Sequence, residues 1–222
     1  MKLCLFFLIL CINFLFFAQK PFIGKLEYKA TVMLPDSVNK VAEGKSWSVK
    51  IFTNDTIARV ETETDQLGVQ VYIRNMGLKK AYLLLQLDGK KFAIQTNETK
   101  ANDSLVDRGY TVKKKFGSKK ILGLKCKKYL ISDNNNKIEY SCYFAKKMSN
   151  KYLQVYPEVP FLAAEYFLPS QDGLVHYELI SIKREELSRD LFGVPSDFQK
   201  ISFEEFIRTY YGNNDSNNSP EK

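Results

Sequence analysis

The chain has 222 residues, a formal net charge of +8, 45% hydrophobic and 14% aromatic residues, and a single histidine. It is too rich in large apolar side chains for an intrinsically disordered protein and too short for a string of domains. One histidine and four cysteines, without metal-ligand spacing, argue against zinc chemistry, and there is no G-x-S-x-G elbow, phosphate-cradling glycine loop or paired-carboxylate motif.

The first stretch, MKLCLFFLILCINFLFFA, places Lys2 before an apolar run that ends at Ala18. A basic start, an apolar core shorter than a bilayer span and a small residue before polar chain read as a secretory signal peptide over residues 1–18. Cys4 and Cys11 leave with it. The expected mature protein is exported, to the periplasm or outer envelope or beyond the cell, and keeps Cys126 and Cys142.

From residue 24 the pattern changes to period two. Gly24 to Leu34 alternates Leu26, Tyr28, Ala30 and Val32 with Lys25, Glu27, Lys29 and Thr31, the signature of a half-buried strand. Pro35 to Gly44 carries turn and helix-start residues and predicts a loop or one to two helical turns. Short runs rich in Val, Ile, Thr, Tyr and Phe follow at 46–53, 56–64, 68–75, 79–87 and 90–96. Turn chemistry separates them, Asp88-Gly89 being the strongest hairpin signal. Residues 99–107 read as a polar loop. Strand character returns at Tyr110 and Val112 and enters a lysine-rich stretch.

Residues 119–147 predict a β-hairpin. Folding it about Asn134 sets Cys126 opposite Cys142, Leu124 opposite Phe144 and Leu130 opposite Ile138. With an oxidising compartment, that register predicts a Cys126–Cys142 disulfide; two buried free thiols are the alternative. Pro157 and Pro160 interrupt regular structure, after which 161–168 and 173–183 form a closing hairpin. Residues 196–211 predict a terminal helix, with Ser202 as N-cap, Glu205 as its capping-box partner and Phe203, Phe206, Ile207 and Tyr210 at helical spacing. The tail at 213–222 is expected to be disordered. The whole is a mainly β fold: one domain over residues 19–212, a curved antiparallel sheet or incomplete barrel with a C-terminal helix.

Gly123, Cys126 and Tyr129, then the EYSCYFAKK strand, and finally Leu191, Phe192, Pro195 and Phe198 resemble, in that order, the phrases of the DUF4412 family of exported Bacteroidetes proteins. The resemblance covers roughly residues 110–202. It implies a LolA/LolB-like fold, an incomplete antiparallel barrel closed by helices around an apolar cavity, and by analogy lipid or lipoprotein carriage.

Two functional expectations follow. The first is a non-enzymatic binding protein, monomeric and without cofactor or metal, that holds a lipid or a lipoprotein acyl chain in the concavity of the sheet. Candidate lining residues are Leu26, Tyr28, Leu83, Leu85, Phe144 and Phe167. The second is an envelope interaction module whose basic patch (Lys113, Lys114, Lys115, Lys119, Lys120, Lys125, Lys127 and Lys128) meets an envelope protein or anionic polymer. Export argues against nucleic acid as a partner. His176 lies between Val175 and Tyr177 in a strand pattern and reads as a structural residue, so no catalytic residue is assigned.

Overall fold

The computed structural model of the chain describes residues 21–33, 41–64, 68–87, 89–97, 109–135, 137–170 and 173–210. The expected signal segment, most of the 35–44 stretch, the 99–107 loop and the 213–222 tail lie outside these residues. Twelve strands are described: β1 (Ile23–Met33), β2 (Val41–Asn54), β3 (Ile57–Thr64), β4 (Gly68–Asn75), β5 (Lys80–Leu87), β6 (Lys90–Asn97), β7 (Tyr110–Ile121), β8 (Leu124–Asp133), β9 (Ile138–Ser149), β10 (Phe161–Ser170), β11 (Gly173–Arg184) and β12 (Gln199–Ser202). Helix α1 (Phe203–Tyr210) follows directly.

The strands form one sheet in the order β12-β6-β5-β4-β3-β2-β1-β11-β10-β9-β8-β7. It is curved, antiparallel apart from the β12–β6 pair, and unclosed, as an incomplete barrel with a C-terminal helix should be. Two meanders, β1 to β6 and β7 to β11, meet where β1 pairs with β11, Tyr28 lying opposite Leu179 and Ala30 opposite Tyr177. The period-two face of β1 does what alternation requires: Leu26, Tyr28, Ala30 and Val32 are all buried.

An unclosed sheet cannot bury its apolar side against itself, and here the cover comes from residues 150–160, between β9 and β10. Tyr152, Tyr156 and Val159 of this segment are buried in the main core with Leu26, Tyr28, Ile131, Phe144 and Leu162. Each fully buried ring is worth roughly 2 kcal/mol in transfer free energy, but a crossing segment also brings polar groups that need partners. Tyr156 Oη donates to the Phe167 carbonyl at 2.5 Å, and Asn150 Nδ2 donates to the Val159 carbonyl at 2.8 Å. Tyr28 Oη donates to the Ala163 carbonyl at 2.9 Å. Edge-on ring contacts from Tyr156 to Tyr110 and Phe144, at 5.2 and 6.1 Å, fix the segment laterally.

The β4–β6 end of the sheet is covered on both sides. Val71, Ile73, Leu84 and Ala93 pack with Val194 and Phe198 of the stretch after β11, while Phe92 and Ile94 pack with Ile201 and Phe206. Helix α1 begins as expected, Ser202 Oγ accepting the Glu205 N–H at 3.0 Å. It is shorter than the predicted 196–211 span, because Gln199–Ser202 pair in parallel with Phe92–Gln95 as β12. Residues 41–44 are likewise strand rather than loop or helix.

The central hairpin exists, but its register differs from expectation. Cys126 lies opposite Ala145, Tyr129 opposite Cys142 and Asp133 opposite Ile138. Asp133 Oδ1 accepts the Asn135 N–H at 2.8 Å, the Asn134 N–H reaches the Gly109 carbonyl at 2.8 Å, and Lys137 takes a left-handed φ of 54°. The ladder therefore closes at Asp133 and Ile138, and the midpoint of the hairpin falls beyond Asn134. The resulting slip of three positions places Cys126 and Cys142 on opposite faces of the ladder and about 10 Å apart along the strands. That separation forbids a bridge; both thiols are free and buried. Burial pushes both thiols up, that of Cys142 to about 12. The folded protein should accordingly resist iodoacetamide at Cys126 and Cys142. Peptide mapping after unfolding without reductant should find both alkylated; a dipeptide linked through the two sulfurs would reject this register.

Candidate functional site

Residues 153–155 of the crossing segment stand off from the sheet and leave a groove of about 350 Å³. Its walls are Val49 of β2, Val60 and Thr62 of β3, Tyr166 and Leu168 of β10, Tyr177 of β11, and Leu153, Gln154 and Val155. Thr62 and Gln154 carry the polar side-chain atoms apart from two phenols, and those phenols belong to rings stacked 4.6 Å apart and 2° from parallel, Tyr166 on Tyr177. Burial raises both tyrosines far from ionisation at neutral pH. The groove is therefore lined without a charged side chain, an environment suited to an apolar chain or ring.

The wall formed by 153–155 is held by a polar latch. Asp55, at the turn between β2 and β3, accepts Tyr152 Oη at 2.5 Å, Lys151 Nζ at 2.8 Å and the Phe22 N–H at 3.3 Å. The Phe22 N–H also reaches Tyr152 Oη at 2.9 Å. Asp55 sits at a left-handed φ of 78°, a conformation that Asp and Asn tolerate best among non-glycine residues. Burial opposes its ionisation, but the hydrogen bonds from Lys151 and Tyr152, the Lys151 charge and the Phe22 N–H outweigh that and hold the carboxyl below its usual range.

The predicted lining residues lie elsewhere. Leu26, Tyr28, Phe144 and Phe167 belong to the filled main core, and Leu83 and Leu85 pack beside α1. None of the six lines the groove. The structure brings the first four together, as packing. The crossing segment that supplies Leu153 and Val155 to the groove carried a signal in the sequence: Tyr152, Leu153, Val155, Tyr156 and Val159 fall within eight positions, an apolar density too high for a solvated loop despite Pro157 and Pro160.

The lysines collect on the β7–β8 edge of the sheet. Lys119 forms an ion pair with Glu165 and sits 4.3 Å from the Tyr143 ring centroid. Among the described residues, the other seven have no acidic partner, and Lys120 lies directly opposite Lys125. His176 stacks on Phe167 at 4.4 Å, and its Nε2 is 3.4 Å from Glu165 Oε1 without a hydrogen bond. Burial lowers the imidazole pKa, Glu178 opposes that and Lys119 adds to it. No group of three or more metal-ligating side chains occurs among the described residues. None of the described helices is long and apolar enough to cross a membrane.

No family model and no curated protein matches the chain. Among solved structures it is similar to PNGF-II, with a TM-score of 0.53 and 14% sequence identity over 84% of this chain. The match takes in 32% of that chain, so this protein spans about a third of PNGF-II's length. At that identity the likeness is one of fold.

The latch makes the groove wall sensitive to acid. Because the folded pKa of Asp55 lies below its unfolded value of about 4, its contribution is complete above that value and is lost as pH falls through the folded one. Glu27 and Asp197 are held low by lysine partners as well, so an acid limb persists without Asp55. Asp55→Asn, which keeps the left-handed turn, should cost about 1–3 kcal/mol at neutral pH and flatten the fall in melting temperature below pH 4. A fall as steep as that of the parent would assign the acid sensitivity elsewhere.

Proposed function

We propose that this is an exported, non-catalytic binding protein that holds the apolar part of one small ligand, an acyl chain or a flat ring, against Tyr166 and Tyr177. The observation that carries this reading is the groove: about 350 Å³ of uncharged space between Val49, Val60, Leu168 and the 153–155 wall. That volume is at the low end of the roughly 300–1,000 Å³ of small-molecule sites. It suits one chain and is small for the several acyl chains of a lipoprotein, which narrows the carrier reading suggested by the DUF4412 resemblance. Lys2 and the apolar run that follows it to Ala18 support export, and the resemblance supports an envelope setting.

Apolar binding gives a salt-independent signal. Native mass spectrometry of the protein isolated from its own cells should find a co-purifying lipid, and a fluorescent long-chain fatty acid should bind with an affinity unchanged by added salt. Val60→Trp puts a large ring into the groove and should weaken that binding by about tenfold or more with little change in melting temperature. An isolated protein with no lipid and no affinity for the probe would discard the reading; so would a Val60→Trp variant that binds as tightly as the parent.

A further inference from the structure

The ladder between β7 and β8 breaks between Lys114 and Ser118, so Lys115, Phe116 and Gly117 bulge out of the edge strand. Gly117 takes a φ of 123°, a backbone conformation that side-chain-bearing residues rarely adopt, and so permits the bulge. On it Phe116 is fully exposed, the most exposed large apolar side chain among the described residues. Six positions on, the two-residue turn that joins β7 to β8 presents Leu122, also exposed, with φ of 47° at Leu122 and 78° at Gly123. Lys113, Lys114 and Lys115 run up to Phe116, and Lys120 and Lys125 flank the Leu122 turn. Like charges directly opposite one another destabilise a ladder, and no described carboxylate relieves the pair formed by Lys120 and Lys125.

We propose that this edge docks the protein on an anionic lipid surface, Phe116 entering the interface while the unpaired lysines hold the headgroups. Two simpler uses of the lysines stop short of Phe116. Lysines on an edge strand discourage pairing with other sheets, but a bare phenylalanine beside them works against that. A soluble polyanion satisfies the charges and offers no apolar phase. A bilayer surface takes both: an exposed Phe buries in the headgroup–acyl boundary, and each lysine near an anionic surface is worth about a fivefold gain in partitioning. The inference goes beyond the groove and is independent of it, the two features occupying different strands.

The test is sedimentation of the full chain with phosphatidylcholine vesicles made with and without phosphatidylglycerol. Residues 2–18, Lys2 and its apolar run, contribute alike in every variant, so the quantity read is the excess partitioning on the anionic vesicles. That excess should fall with added salt. Phe116→Ala should lower it roughly tenfold, and Lys113→Gln with Lys114→Gln and Lys115→Gln together by about a hundredfold at low salt. The indole introduced by Phe116→Trp should be quenched by lipids brominated on their acyl chains. All four positions are exposed, so unchanged melting temperatures will certify the fold. Val60→Trp should leave the excess intact, which separates failure here from failure of the groove. Absence of an anionic excess overturns the proposal. So does an excess indifferent to Phe116→Ala, and heparin binding equally indifferent to it would hand the lysines to a soluble polymer.

Discussion

Tyr152 and Tyr156 solve a problem set by the topology. The sheet ends at β12 on one side and β7 on the other, so closure does not bury its apolar side and some other part of the chain must cross it. A crossing segment carries backbone amides and carbonyls into an apolar interior, where an unpaired polar group costs about 1–3 kcal/mol. The two phenols act from opposite ends. Tyr152 ties the segment to Asp55 and to the start of β1, and Tyr156 ties it to the carbonyl of Phe167 in β10. Their rings supply the apolar cover, and their hydroxyls attach it to both meanders. Removing a whole ring at either position would forfeit some 3–5 kcal/mol, against about 1 kcal/mol for a typical hydrogen bond alone, so packing dominates the energy and the hydroxyls set the position.

The groove is a consequence of how that segment is pinned. Lys151 and Tyr152 are fixed at the Asp55 latch, and Tyr156 is fixed at Phe167. Leu153, Gln154 and Val155, between the two anchors, do not fill the space above Tyr166 and Tyr177. This open space beside the core is thus produced by the distance between two anchors rather than by small side chains. It also explains why ionisation of Asp55, outside the groove, bears on its wall.

Much of the fold was legible because period-two alternation is a local signal. The 68–75 run is β4 to the residue, and most strands of the first meander were placed within one or two positions. Three things escaped. The hairpin register depends on where a turn of Asp and Asn residues begins, and four such residues in succession leave its midpoint open; tertiary contact with Gly109 decides it. The strand at Gln199–Ser202 is set by pairing with Phe92–Gln95, more than a hundred positions away, while its own residues fit a helix start equally well. Strand alternation names residues that face inward but not which of them stay uncovered: the groove takes Val49, Val60, Thr62, Tyr166, Leu168 and Tyr177 from four strands where the irregular 153–155 segment bridges them, and that geometry has no period. The basic edge was legible as charge, but which lysine is neutralised was not: Lys119 finds Glu165 on β10, beyond two intervening strands.

The edge itself is shaped by two opposed demands. A terminal strand of a large sheet invites addition of another strand, and a bulge with dense lysine charge is an effective deterrent. Both are present in β7, where three residues leave the ladder between Lys114 and Ser118, with Lys113 and Lys114 before them and Lys119 and Lys120 after Ser118. Deterrence alone would favour a polar residue at the crest of the bulge. Phe116 sits there instead, fully exposed, beside Gly117, whose positive φ accommodates the bulge. The same bulge that protects the edge from other sheets therefore holds an apolar side chain outward, and the lysines that repel like-charged strands supply the field that would draw an anionic surface to it.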